Sequence, residues 1–435
     1  MKPPRRHSPR PSSRQAPDAP GVPTRRAALR LLDAVLRRGL ALEQALDSAA
    51  QGLAPNDRGL AHAIAAEVLR RLPDLDALID SATKQRLPDD AKARFALRIA
   101  LVQALALGTP GHAAIATVLP LVDGGPRKLV HGVFGALVRQ GATLPEPPTL
   151  PDAVALRWHA AWGDQAIEDA ERAIAVPPPL DLTLRDPAVV PDLPGASLIA
   201  GHLRLDEKGA VAMLPGYAEG AWWVQDLAAS LPARLIGKAE PGGNGTALDL
   251  CAAPGGKTLQ LAAAGWRVTA VDISESRLAR LHENLERTGL SAEVIAADLL
   301  GWAPGAPADA VLLDAPCSAT GIFRRHPDVL HRVRPSLIRE MAELQGRLLA
   351  RAADWVRPGG VLVFSTCSLE PEEGEAQLAA FLGARSDYAI LPVRAEELPD
   401  GVVPREDGSL RLLPGTLADA GGLDGFFIAR LVRNG

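Results

Sequence analysis

From Thr246 to the C-terminus the chain alternates between short apolar runs and amphipathic stretches. Apolar runs at 246–251, 267–272, 292–296, 309–314 and 360–366 are separated by helical stretches at 257–264, 275–289, 336–356 and 372–383, and Gly425-Phe-Phe-Ile-Ala-Arg-Leu-Val432 reads as a closing strand. Runs this uniformly apolar suit strands buried on both faces. Strands joined by helices imply right-handed βαβ crossovers and hence a mostly parallel sheet. In an open sheet of this kind ligands bind outside the carboxyl ends of the strands, so chemistry is expected in the turns that follow the apolar runs.

Those turns carry all three cysteines of the 435-residue chain. Cys251 lies in Leu248-Asp-Leu-Cys-Ala-Ala-Pro-Gly-Gly-Lys-Thr258, Cys317 in Leu313-Asp-Ala-Pro-Cys-Ser-Ala-Thr-Gly321, and Cys367 in Phe364-Ser-Thr-Cys-Ser-Leu369. Three cysteines make no disulfide framework and fit a reducing compartment. The turn Cys251-Ala252-Ala253-Pro254-Gly255-Gly256-Lys257 links the first strand to its helix, where glycine allows close backbone approach and the helix start offers free N–H groups. It matches neither Gly-x-Gly-x-x-Gly nor a P-loop, which argues against a nucleoside triphosphate. Asp249 lies near the end of the first strand, Asp272 and Asp314 end the second and fourth, and Asp298 follows the third. Four acids in register suit a cofactor with a ribose diol, an amine and a sulfonium better than a pyrophosphate. S-adenosylmethionine has those features, with Asp272 at the ribose and Asp298 at the adenine edge. The alternative, that the acids cap helices and turns, is reasonable for any one of them and poor for all four.

Cys317 and Cys367 each follow a buried strand, at one sheet edge. Cytosine C5 is a weak nucleophile; a thiolate adding to C6 makes it enamine-like and divides one hard step into two. Asp314 is placed to contact the ring at N3. A free thiol has a pKa of about 8.5, so the attacking cysteine needs local activation. Free cysteine is most often a small buried hydrophobe, which is the reading preferred for Cys251 but not for the other two.

The remainder of the chain is organised differently. Residues 1–30 hold eight Lys or Arg against one acid, although the formal net charge is -4. Residues 1–22 read as a disordered basic tail, either dispensable or grazing phosphates. Residues 23–142 read as a bundle of six or seven helices, with Leu60, Ile64, Val68 and Leu72 as one buried stripe behind a cap at Asn56-Asp57, and Gly124-Gly125-Pro126 between the last two helices. Leu144-Pro-Glu-Pro-Pro-Thr-Leu-Pro151 is an extended linker. Residues 152–245 suggest a small α+β subdomain, opened by one helix carrying Trp158 and Trp162, and 246–435 form the catalytic domain. No apolar run reaches the length of a membrane span and the start has no signal-peptide core, so a cytoplasmic location is expected.

Taken together, Cys251-Ala-Ala-Pro-Gly-Gly-Lys-Thr258, Asp314-Ala-Pro-Cys-Ser-Ala-Thr-Gly321 and Ser365-Thr-Cys-Ser368 resemble the RNA cytosine-C5 methyltransferases of the Nol1/Nop2/Sun family. Arg324-Arg-His-Pro-Asp328, Gln345, Val224-Gln-Asp226 and Asp424-Gly-Phe-Phe427 match the same pattern. Residues 23–142 resemble the NusB-type helical domain fused ahead of the bacterial small-subunit enzymes, through Arg58-Gly-Leu-Ala61, Leu97-Arg-Ile-Ala100 and Gly111-His-Ala-Ala114. The resemblance implies an α/β class I methyltransferase fold, Rossmann-like with a mostly parallel seven-stranded sheet, acting as a monomer on 16S rRNA with S-adenosylmethionine and no metal. It implies Cys367 as the nucleophile at C6 and Cys317 as the residue that helps release the product. In the DNA cytosine methyltransferases the Pro-Cys cysteine attacks, so Cys317 is the competing nucleophile. It further implies cofactor contacts by residues 251–257, Asp272, Asp298 and Asp314, and Lys257 near the reaction centre. Phe364 departs from the pattern, where Tyr is commoner.

A base inside a helix must be flipped out before a thiol can reach it. Arg324, Arg325, His326, Arg332 and Arg334 are candidates for phosphate contact, against an ordinary solvated segment. Trp222 and Trp223 could stack on bases, but packing suits them better. The helical bundle serves RNA binding, protein docking or structure. Competing functions are the same chemistry on transfer RNA or another ribosomal site, and a non-catalytic RNA-binding assembly factor, which would not need Cys317, Cys367 and Asp314 together.

Overall fold

The computed structural model describes residues 19–206, 209–240 and 242–435. The expected basic tail lies outside the described residues as far as residue 18, and its last residue, Val22, is already the buried start of the first helix. The chain divides into two compact units between Leu144 and Pro145.

The first unit contains α1 (Val22–Leu36), α2 (Leu42–Ala49), α3 (Pro55–Arg70), α4 (Leu72–Ser81), α5 (Lys92–Leu105), α6 (Gly111–Val118) and α7 (Gly124–Arg139). Helix α5 is buried from Ala93 to Gln103, with neighbours on all sides, so its polar side chains must find partners within the fold. Its two arginines are balanced at its flank: Arg98 forks onto both oxygens of Asp76 (2.8 and 2.7 Å), and Arg94 pairs with Asp76 and Asp80. Three sequence expectations fail locally. Leu60 is 39% exposed whereas Ile64 and Val68 are fully buried. A strict four-residue repeat drifts by about 40° per step around a 3.6-residue helix, which carries the first member out of the core. Helix α3 starts at Pro55 behind Ala54, and Asp57 sits inside its first turn, accepting a hydrogen bond from Thr24 Oγ1 (2.9 Å). Likewise Gly124, Gly125 and Pro126 form the first turn of α7 rather than a break before it, a position where proline's missing N–H costs nothing.

In the second unit, Gly163 (φ 78°) splits the expected helix into α8 (Asp152–Trp162) and α9 (Asp164–Ala175). An antiparallel sheet follows, ordered β2-β3-β1-β4, from β1 (Leu180–Leu184), β2 (Gly195–Ala196), β3 (His202–Leu205) and β4 (Trp222–Val224). Trp222 and Trp223 are buried, so they pack. Helix α10 (Leu227–Arg234) leads into the main sheet.

The main sheet comprises β5 (Thr246–Leu250), β6 (Arg267–Asp272), β7 (Glu293–Ala296), β8 (Ala308–Asp314), β9 (Val356–Thr366), β10 (Tyr388–Ile390), β11 (Leu410–Leu412) and β12 (Phe426–Arg433). Between them run α11 (Gly256–Ala263), α12 (Glu275–Thr288), α13 (Val329–Arg332), α14 (Pro335–Asp354) and α15 (Glu375–Ala384). Seven strands lie in the order β10-β12-β9-β8-β5-β6-β7, and β11 adds an eighth beside β12. From β9 to β7 all pairings are parallel, and β12 alone runs against the others. This is the Rossmann-like, mostly parallel sheet of the class I methyltransferase fold. Separate apolar clusters cover its two faces, one around Phe364, Phe427 and Leu349, the other around Leu312, Val363 and Ile428. Each fully buried Leu or Phe contributes about 1.5–3 kcal/mol relative to exposure. No helix among the described residues is long and apolar enough to cross a membrane.

Candidate active site

The strand order reverses between β5 and β8, and the crevice at such a switch point is where an open α/β sheet binds ligands. Register explains what meets there. Leu250 is level with Leu313, and Asp314 with Ser365, so the turns after β5, β8 and β9 leave the sheet side by side.

The turn after β5 is tightly folded. Cys251 adopts φ 62° and Gly255 φ 105°, and a Cβ on Gly255 would lie 2.3 Å from Leu281 Cδ1; only glycine fits. Asp272, buried at the end of β6, fastens the turn by accepting the backbone N–H of Ala253 (3.1 Å) and of Ser274 (2.9 Å). Cys251 packs against the core beneath the turn, and burial pushes its thiol well up. Asp298 is exposed and accepts the N–H of Leu300 (2.9 Å).

Lys257, at the start of α11, reaches across the switch point to Asp314 Oδ2 (2.7 Å), while Ser365 Oγ donates to Asp314 Oδ1 (2.8 Å). Burial works against the Lys257 ammonium, but the adjacent Asp314 carboxylate outweighs it and holds its pKa above the ordinary lysine value. Below this pair, Asp249 is wholly buried: Thr258 Oγ1 donates to Oδ2, no partner reaches Oδ1, and burial pushes the carboxyl up to about 7.

The two remaining thiols stand together. Cys317 Sγ and Cys367 Sγ are 3.4 Å apart, both free and partly exposed. The hydrogen bond to Cys367 and burial both push the Cys317 thiol well above its usual value. Their loops are cross-tied, with Gly321 N–H donating to Cys367 O (3.0 Å). Helix α8 buttresses the Cys367 loop: Trp162 Nε1 donates to Leu369 O (2.8 Å) and Trp158 Nε1 to Glu370 Oε1 (3.1 Å).

A cavity of about 350 Å³ opens beside the turn. Of the sequence candidates, Cys251, Ala252, Ala253, Pro254, Gly256, Lys257 and Asp314 line it, facing Gln225, Asn284 and Arg287. Gly255, Asp272, Asp298, Cys317 and Cys367 lie outside that lining. Of the phosphate-contact candidates, Arg324 is buried, Arg325, His326 and Arg332 are half-buried, and the arginines among these are held by partners within the fold. Arg325 bridges Asp226 (2.7 Å) and Asp424 (3.3 Å), Arg324 is buried and donates to Gly421 O (2.7 Å), and Arg332 pairs with Asp328 (2.8 Å). Arg334 is exposed. Sequence reading overlooked Glu373, a buried carboxylate touching both cysteine loops. Within Glu370-Pro-Glu-Glu373 it looks like a solvated acid; its only local signal is its place six residues after Cys367.

The donors present fit S-adenosylmethionine. Asp272 and Asp314 are tied to the turn through Ala253 and Lys257, and the buried Asp249 beneath it keeps one oxygen without a partner.

The 16S rRNA methyltransferase RsmB/F family matches residues 238–432, and the NusB family residues 22–135. Ribosomal RNA small subunit methyltransferase B of Xanthomonas campestris is 36% identical over 87% of this chain and 92% of its own length. The protein of the same description from Sodalis glossinidius is 35% identical over 93% and 96%. The crystal structure of PH0851 shares the fold, with a TM-score of 0.72 and 22% identity over 95% of this chain and 99% of that one. With a NusB-type bundle, a class I methyltransferase sheet and relatives aligned along nearly all of their length, the chain belongs to the RsmB/F family of S-adenosylmethionine-dependent 16S rRNA methyltransferases.

Proposed function

We propose that the protein methylates C5 of a cytosine in 16S rRNA through a covalent cysteine–C6 adduct, acting in the cytoplasm as a monomer on RNA. The observation that carries this reading is the pair of free thiols 3.4 Å apart beside the Lys257–Asp314 ion pair. When bound, S-adenosylmethionine supplies the methyl group that C5 takes up, and residues 251–257, Asp272, Asp298 and Asp314 are the ones to hold it. Cys367 Sγ adds to C6, and the electron pair of the C5–C6 double bond moves toward C5 and the ring edge. Asp314 meets that edge at N3 as the carrier of a proton that N3 takes up as density accumulates and returns when the double bond is restored, and the Lys257 ammonium beside it stabilises the carboxylate left in between. After methylation the C5 proton leaves to a base and Cys367 departs from C6, restoring the double bond; Cys317 assists this release. The hydrogen bond and burial that keep Cys317 protonated support Cys367 over Cys317 as the attacking group, since the thiolate is the nucleophile.

The test uses purified protein, unmodified 16S rRNA and methyl-labelled cofactor. Cys367→Ala is expected to abolish transfer, and Cys317→Ala to accumulate a protein–RNA adduct that survives denaturing gel electrophoresis. Full activity in Cys367→Ala overturns the mechanism. Bisulfite sequencing of rRNA from a strain lacking the gene identifies the base, and unchanged methylation there overturns the substrate.

A further inference from the structure

The Glu373 carboxylate is fully buried, and each of its oxygens is engaged by a cysteine loop. Its Oε1 accepts the Ser318 backbone N–H (2.8 Å) and Gln345 Nε2 (3.3 Å), and its Oε2 accepts the hydroxyls of both Ser318 and Ser368. Ser318 and Ser368 are the residues immediately after Cys317 and Cys367. The residues before the cysteines are tied to the same point: Gln345 Nε2 also donates to Pro316 O (2.9 Å), and Thr366 Oγ1 donates to the Glu373 carbonyl (3.1 Å).

We propose that Glu373 is a positioning residue for methyl transfer, a buried clamp that holds the Cys317 and Cys367 loops in the one arrangement that sets their sulfurs 3.4 Å apart. This rests on the reading of Cys367 as nucleophile and Cys317 as its assistant. Both loops lie beyond the ends of their strands, where Gly321 N–H to Cys367 O ties one backbone to the other at a distance from the sulfurs, and Glu373, directly or through Gln345, adds the ties on the residues either side of each cysteine. Four donors converge on two oxygens, and an ionised carboxylate, an acceptor at every site, satisfies all of them, against a burial that raises its pKa above the ordinary glutamate value. None of those four donors is a cation. A buried charge with no countercharge costs stability, so fold stability does not account for an acid here, whereas ångström control of reacting atoms does. The same charge, close to Cys317, favours its thiol form.

The test compares full-length Glu373→Gln, Ser318→Ala, Ser368→Ala and Ser368→Thr with the wild type and with Cys367→Ala. Glu373→Gln is expected to lower kcat by about 100-fold, with KM for S-adenosylmethionine unchanged. In the same variant, iodoacetamide alkylation of Cys317, followed by mass spectrometry, is expected to shift to lower pH, which a purely structural role would not cause. Ser368→Ala should lower kcat and Ser368→Thr, which keeps the hydroxyl, should restore it. Wild-type kcat in Glu373→Gln with an inactive Cys367→Ala overturns the clamp and leaves the covalent mechanism standing. Full activity in Cys367→Ala overturns the mechanism itself. Should Glu373→Gln fail to fold, the serine variants decide: wild-type kcat in both Ser318→Ala and Ser368→Ala overturns the clamp.

Discussion

Asp249 is a carboxyl that the fold keeps away from water directly beneath the residues that meet at the switch point. Burial pushes it up to about 7, whereas in the unfolded chain it ionises near the ordinary value of about 3.9. Between those values the folded chain holds one more proton than the unfolded chain. Stability from this residue therefore falls as pH rises from about 4 to about 7 and is level beyond. Asp249→Asn is expected to flatten that decline, seen as a smaller difference between urea midpoints at pH 5 and pH 8; an unchanged difference places the titration elsewhere. The three cysteines were readable from their motifs because strand ends mark where such residues emerge. Glu373 was not, because its meaning lies in partners that local pattern does not reveal, above all Ser318, 55 positions away.

Among the elements, the parallel β8–β9 pair and the antiparallel β12 beside it form the frame on which both cysteine loops hang. Gly321 N–H bonds Cys367 O, and Gly425 N–H bonds Gly321 O (2.9 Å), so the Cys317 loop runs backbone to backbone against the entry to β12. A Cβ on Gly321 would lie 2.1 Å from Gly425 O. Gly321→Ala is expected to cost about 1–3 kcal/mol, as overpacking does, and to reduce methyl transfer, measured by urea unfolding and labelled-methyl incorporation. Gly383, late in α15, has open space around it. Gly383→Ala should leave activity intact and stabilise by up to about 1 kcal/mol. Strands β5 to β9 were apparent from apolar runs to within a few residues, and β12 from its own. The short β10 and β11, three residues each, carry too few positions for any period to register.

For the whole molecule, two units have their own apolar cores, one confined to residues 22–137 and the others beginning at Leu150. Fragments 19–144 and 145–435 are each expected to unfold cooperatively in calorimetry; a fragment without a transition would show its core to be incomplete alone. Within the second unit, Arg325 lies between Asp226 and Asp424, each 99 residues distant. Asp424 is buried and pushed up to about 7 by that burial and by the neighbouring Asp226. Removing the arginine leaves two buried acids facing one another. Arg325→Met is expected to lose about 3–5 kcal/mol in urea unfolding while RNA affinity changes little; the reverse pattern would restore the phosphate-contact role.

The order of strands and helices, the two-face burial of the sheet and the turns that carry chemistry were all encoded locally. Periodicity and turn residues act over a few positions, and sheet topology then follows from the handedness of βαβ links. Folding alone brought Lys257 to Asp314, Cys317 to Cys367 and Glu373 to both cysteine loops, and turned Arg324 and Arg325 from apparent surface charges into ties within the fold. Such pairings depend on which strands become neighbours and in what register, a sum over the whole core that no short stretch of chain contains.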